Sequence, residues 1–132
     1  MGSMLVGSRD FVERARVERK MLGGGMTQAG IAAAAGLVAL EESPKRLFID
    51  HENARYLANA LARLEGITLD PSKVVTNIVV FEHPDPAGVC GHLESRGVRA
   101  GAISPTTVRL VTHLDVDDRG IERAVSAIGS AP

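Results

Sequence analysis

Cysteine is all but missing from this chain. Cys90 stands alone, so no internal disulfide can form, and one thiol cannot build a zinc site by itself. A reducing, cytoplasmic compartment is the expected setting. An excess of one charge sign is missing too: 15 basic and 16 acidic residues are spread along the chain, for a formal net charge of -1 and a pI near 6.4. With no basic block to track a phosphate backbone, nucleic acid is not an expected partner. Long apolar runs are also absent. The longest, Ala29 to Leu40, covers twelve residues of which half are alanine. Crossing a bilayer takes roughly 18 or more, so no membrane partner is expected. Nor does the start, Met1 to Val6, carry the basic flank of a signal peptide, and Arg9, Asp10 and Glu13 follow at once.

The 132 residues present suit one hydrophobic core, large enough to bury about two thirds of the unfolded surface. Met4 to Val6 is a short apolar stub stopped by Gly7. Ser8 can cap a helix over Arg9 to Met21 whose apolar side, Phe11, Ala15 and Val17, is narrow. Gly23, Gly24 and Gly25 break the pattern and predict a loop. Thr27 can then cap a second helix from Gln28 to Leu40, whose small residues on nearly every face predict burial between neighbours. Ser43 and Pro44 supply a cap and a first-turn proline for the longest helix. Its stripe is Leu47, His51, Ala54, Leu57, Ala58, Leu61 and Leu64, running to Gly66.

After Asp70 and Pro71 the period changes from helical to alternating. Asn77 to Glu82 is β-branched and apolar and predicts a central strand. A helix over Gly88 to Arg96 follows, then extended segments at Val98 to Ile103 and Val108 to Leu114, and a helix capped by Asp117 running to Ile128. The short Ser104 to Thr107 connection predicts a hairpin, hence an antiparallel sheet with helices on one face, and an α+β fold class. Residues 1–43 do not obviously belong to that sheet. They read as the edge of something larger, with residues 44–132 as the α+β domain proper.

Several residues could carry chemistry. Arg109 shares a strand face with Val111 and His113 by the period of two, and an arginine there is either surface decoration or a grip for an anion. Lys20 ends the first helix, where the macrodipole favours a cation whatever its function. The glycine loop before a helix could hold an anion but lacks the glycine spacing of a phosphate-binding fingerprint, so a flexible turn is the simpler reading. His113 and Asp115 form an H-x-D without a second ligand pair, so no metal is assigned. His51, His83 and His92 read as packed or surface histidines. Adjacency to His92 does not make Cys90 a nucleophile.

Read continuously, KMLGGGMTQAGIAAAAG (residues 20–36), DHENARYLANAL (50–61), TNIVVFE (76–82) and VRLVTHLDV (108–116) make the chain resemble the C-terminal portion of the low-specificity L-threonine aldolases. These are pyridoxal-phosphate enzymes of the aspartate-aminotransferase-like fold. The resemblance implies that residues 44–132 form the small C-terminal domain and that residues 1–43 connect it to a large cofactor domain. It implies that Arg109 grips the α-carboxylate of an amino-acid substrate, where a bidentate fork suits a planar carboxylate. It also implies that Lys20 reaches toward the cofactor. The cofactor lysine of the family lies upstream of Gly2. Lys20, Lys45 and Lys73 all lack its Ser-x-x-Lys-Gly context, so no residue here is assigned a catalytic role. Thr27 departs from the arginine common in the family after GGGM, which puts any charge role there in doubt.

The reading implied is therefore part of an enzyme that cleaves L-threonine or L-allo-threonine to glycine and acetaldehyde. It is inactive alone, does not bind pyridoxal phosphate alone, and is partnered by a large cofactor domain or a second copy. The competing reading is a non-catalytic α+β interaction or dimerisation module, or one half of a split enzyme. Under either reading the alanine-rich helix leaves an apolar patch that predicts dimerisation or poor solubility.

Overall fold

The computed structural model describes residues 5–131. They divide into two compact units, with the boundary between Lys45 and Arg46. Among the described residues no helix is long and apolar enough to cross a membrane.

The first unit is two helices joined by the glycine loop. Helix α1 (Arg9–Met21) starts where expected: the Ser8 hydroxyl accepts the Phe11 amide at 3.4 Å, with Asp10 in the first turn and Arg19 and Lys20 in the last. That charge order complements the helix dipole at both ends. Val12 and Ala15 are its half-buried positions, while Phe11 and Val17 stay exposed. The loop closes tightly on α1. Gly23 has φ 79°, the Gly24 amide donates to the Arg19 carbonyl at 2.7 Å, and a Cβ at Gly24 would stand 2.8 Å from Arg19 Cγ. Glycine is needed at both positions, one for its backbone angle and one for the close approach.

Helix α2 (Gly30–Glu42) departs from expectation. It begins two residues later than the pattern from Gln28 suggests, and Ala29 sits at its N-cap without a side-chain hydrogen bond. Gln28 adopts φ 57°, a left-handed angle that ends the helical path before Thr27 can cap it. No α2 residue is buried within this chain. The expected burial between neighbours is therefore not met here, since this unit has no further element to cover it. Leu5 and Val6 are exposed and form no strand, and Met4 lies outside the described residues. Ser43–Lys45 is a separate 3-10 turn, not the first turn of the next helix.

The second unit holds the sheet. Helix α3 (Leu47–Leu61) begins after Arg46 and ends five residues short of Gly66. Then come strand β1 (Ile78–Glu82), helix α4 (Pro86–Ser95), strands β2 (Gly101–Ser104) and β3 (Thr107–Val111), and helix α5 (Asp118–Ile128). The strands form an antiparallel sheet in the order β1-β3-β2, with Val80 opposite Arg109 and Phe81 opposite Val108. Thr68 adds a bridge to Glu82 that covers part of the β1 edge. Helix α4 starts at Pro86, earlier than expected from Gly88, because Asp85 caps it by accepting the Gly88 amide at 2.9 Å. Asp117 caps α5 as expected, accepting from Gly120 at 2.8 Å.

Alternation along the strands decides the packing. Val79 and Phe81 of β1 and Val108 and Leu110 of β3 point to one face. There they meet Leu57, Ala58 and Leu61 of α3, Leu93 of α4 and Ile121 and Ile128 of α5 in one core. Full burial of a Phe or Leu side chain is worth about 1.5–3 kcal/mol. The α+β class with helices on one face of an antiparallel sheet is therefore observed. On α3 the buried stripe includes Asp50, 5% exposed, while its neighbour His51 is only half-buried.

A polar clasp ties α3 to the sheet. Thr112, 2% exposed, donates its hydroxyl to the Asp50 carbonyl at 2.6 Å and its amide to the Asn77 carbonyl at 3.0 Å. The Asn77 side chain returns a bond to the Thr112 carbonyl at 2.7 Å. Thr112→Val keeps the shape and removes the hydroxyl, so it is expected to lower stability by about 1 kcal/mol, the net worth of one buried hydrogen bond. Urea unfolding reads this as a lower midpoint at constant slope, and an unchanged midpoint would show the clasp to be dispensable.

Candidate functional site

Val108 and Leu110 point inward, which leaves Arg109 and Val111 on the outward side of β3, while His113, expected to share that strand face, lies exposed beyond the end of the strand at Val111. Arg109 lies near the middle of that face, on the central strand, with Val80 across on β1 and Gly101 across on β2. Ile78, Val80 and Val111 share that face, 42%, 40% and 42% exposed, and Glu82 and Thr107 lie on it one same-face pair further along. Among the described residues the ion pairs are Glu42–Lys45, Arg46–Asp50, Asp70–Lys73 and His113–Asp115, none of which uses Arg109. A guanidinium with five N–H donors thus stands exposed on this face with no ion-pair partner among the described residues, its donors open to an anion from solvent.

Lys20, the other residue singled out, is exposed in the last turn of α1. It belongs to the first unit and Arg109 to the second. The glycine loop beside Lys20 is a turn and not an anion cradle. The Gly23 and Gly24 amides donate to the Lys20 and Arg19 carbonyls, and the Met26 amide to that of Gly24.

The remaining candidates resolve into structural roles. The Asp115 amide donates to His113 Nδ1 at 3.3 Å, while the Asp115 carboxylate lies 3.6 Å from the same nitrogen. The two contacts exclude each other, since an Nδ1 that accepts the amide carries no proton to share with the carboxylate. Among the described residues no group of His, Cys, Asp and Glu is arranged to hold a metal ion. His92 Nε2 reaches the Ala127 carbonyl at 3.1 Å and Ser130 Oγ at 3.3 Å, pinning α4 to the end of α5. His83 Nδ1 accepts the Asp85 amide at 3.0 Å. Burial pushes the Cys90 thiol up, and its contact with the Ala102 backbone only partly opposes this. A raised thiol pKa leaves less thiolate and suits a packed residue, not a nucleophile. The Ser72 hydroxyl and amide hold the exposed Asp70 carboxylate below its usual range, as a turn-capping acid.

Two features escaped the sequence. Asp50 is a buried acid 3.4 Å from Arg46 Nη2, and its only signal was a place one residue off the apolar stripe. A hollow of about 560 Å³ opens at the end of β3 over Leu57, Leu110 and Ile121, with Arg99, Arg119 and Arg123 on its walls, and Arg109 does not line it. Its residues come from four separate segments, so no local pattern foretells it.

Comparison with known proteins adds what this geometry cannot. The beta-eliminating lyase family model matches residues 1–84, a stretch that includes Lys20. A probable low-specificity L-threonine aldolase 2 of Arabidopsis thaliana is 40% identical over 131 residues, covering 96% of this chain and 37% of the relative. The low specificity L-threonine aldolase of Escherichia coli K12 is 43% identical over 116 residues, covering 88% of the chain and 34% of the relative. Aldolase vrtJ of Penicillium aethiopicum is 36% identical over 125 residues, covering 93% and 31%. The chain thus spans about a third of the length of the relatives it matches. On these matches the chain belongs to the beta-eliminating lyase family and corresponds to a portion of its threonine aldolase relatives.

Proposed function

We propose that this chain is the C-terminal, substrate-gripping portion of a pyridoxal-phosphate-dependent threonine aldolase, which cleaves L-threonine or L-allo-threonine to glycine and acetaldehyde. In this reading residues 44–132 are the small domain of an aspartate-aminotransferase-like enzyme, and residues 1–43 lead in from the large one. The observation that carries it is Arg109, exposed and without an ion-pair partner among the described residues on the open face of the sheet. The aldolase names of the relatives supply the substrate class. A cytoplasmic setting belongs to the same proposal and rests on the single thiol.

Alone, the chain's own residues do not fit the cofactor. An imine-forming lysine needs an acidic partner for the pyridine ring nearby. Lys45 is paired with Glu42 at 2.8 Å, Lys73 lies 3.9 Å from Asp70 on an exposed turn, and Lys20 is exposed at a helix end. The contribution of this chain is to bind and orient: Arg109 holds the substrate carboxylate, and Lys20 presents a cation toward the cofactor side of a site completed by the rest of the enzyme.

The competing reading, a non-catalytic interaction module, draws on α2. A helix apolar on all sides belongs in an interior, yet Ile31 is 90% exposed and no α2 residue is buried within this chain. Under the enzyme reading the large domain and a second copy of the enzyme cover it.

Three outcomes test these assignments. The purified chain mixed with pyridoxal phosphate is expected to show no imine band and no borohydride-fixed adduct, and an adduct on Lys20 would make it a cofactor protein in its own right. In the holoenzyme carrying this chain, Arg109→Ala is expected to lose about 1.5–3 kcal/mol of transition-state binding, roughly ten- to a hundredfold in kcat/KM. An unchanged kcat/KM there would remove the carboxylate role. In sedimentation velocity the chain alone should self-associate and Ile31→Glu should weaken this, whereas a strict monomer at high concentration would speak against α2 as an interface.

A further inference from the structure

Gly101 occupies a position where nothing in the sheet requires glycine. It is not among the glycines with positive φ, so its backbone angle is open to other residues. A Cβ built on it would meet nothing within 4 Å, so no neighbour forbids a side chain. Glycine in a strand is nonetheless unfavourable, because it loses more backbone freedom on folding and offers no side chain to the pleated surface. Such a glycine often marks a place where a ligand or another backbone approaches closely.

What distinguishes Gly101 is its partner. It lies directly across from Arg109, and cross-strand partners share a face. On the other side of Arg109 stands Val80, a branched side chain. The arginine therefore has a wall on its β1 side and open space on its β2 side. The register shifts immediately after, between Ala102 and Ser104. Such irregularities bend an edge strand and are common next to binding sites.

We propose that Gly101 is a clearance residue for the Arg109 site: its missing side chain keeps open the slot through which the carboxylate of an α-amino acid seats against the guanidinium. This rests on the reading of Arg109 as the carboxylate grip. Because the slot receives the carboxylate end, filling it should weaken amino acids that differ only in their side chains by the same factor.

The test compares Gly101→Ala, Gly101→Val, Arg109→Ala and the Gly101→Val/Arg109→Ala double variant in the holoenzyme carrying this chain. Gly101→Val is expected to raise KM about tenfold, equally for L-threonine and L-allo-threonine, with kcat within about twofold. Its thermal midpoint should hold or rise, since valine is the better strand former; a residue serving only the fold would not show weaker binding beside unchanged stability. Gly101→Ala should fall between wild type and valine, and it supplies the comparison if the valine variant melts early. In the Arg109→Ala background Gly101→Val should add nothing. An unchanged KM for both Gly101 variants, or an equal increase with Arg109 absent, overturns the slot while leaving the Arg109 assignment intact. An unchanged kcat/KM for Arg109→Ala removes the grip, and the slot with it.

Discussion

The inward alternation of β3 is the constraint on which the second unit depends. Val108, Leu110 and Thr112 are committed to the helix side, the first two by apolar burial and the third by its hydroxyl on the Asp50 carbonyl. A slip of one residue would expose Val108 and Leu110 and bury Arg109, at a cost in desolvated charge that the sheet could not offset. The position of Arg109 on the open face is thus a consequence of core packing. A site built this way inherits the rigidity of the core without lying in it, which suits a group that must meet its ligand in a fixed direction.

The same one-sidedness leaves apolar side chains on the outward face of the sheet. Ile78, Val80 and Val111 remain about two-fifths exposed around Arg109. In the first unit, none of the alanine, isoleucine, leucine and valine side chains of α2 is buried. Both features fit a chain spanning about a third of its relatives' length.

Much of the fold was legible because it rests on local chemistry. Ser8 and Asp117 cap the helices expected of them, the Ser104 to Thr107 turn makes the hairpin, and the period of two places Arg109 outward. The misreadings have local causes as well. Thr27 lost its cap to a left-handed Gln28, Pro44 closed a 3-10 turn instead of opening α3, and Asp85 started α4 ahead of Gly88. Propensity ranks residues at a boundary, but the path of the preceding backbone decides which of them has its side chain in reach. The site was half legible for a related reason. Arg109 stands out by its charge in an apolar strand, whereas Gly101 enters the proposal only through its place across from a residue eight positions away.

By itself the sequence determined the elements, the antiparallel hairpin, the helix-facing set of residues and the family to which the chain belongs. These follow from periodicities and caps that act over a few residues, and from motifs that are linear. Only the tertiary structure decided that Asp50 is buried in place of His51, that Thr112 and Asn77 clasp the sheet to α3, and that Gly101 lies open beside Arg109. Each of those depends on which segments meet across the sheet and which side chain then fills or leaves the space between them, a matter of register and packing that no local pattern encodes.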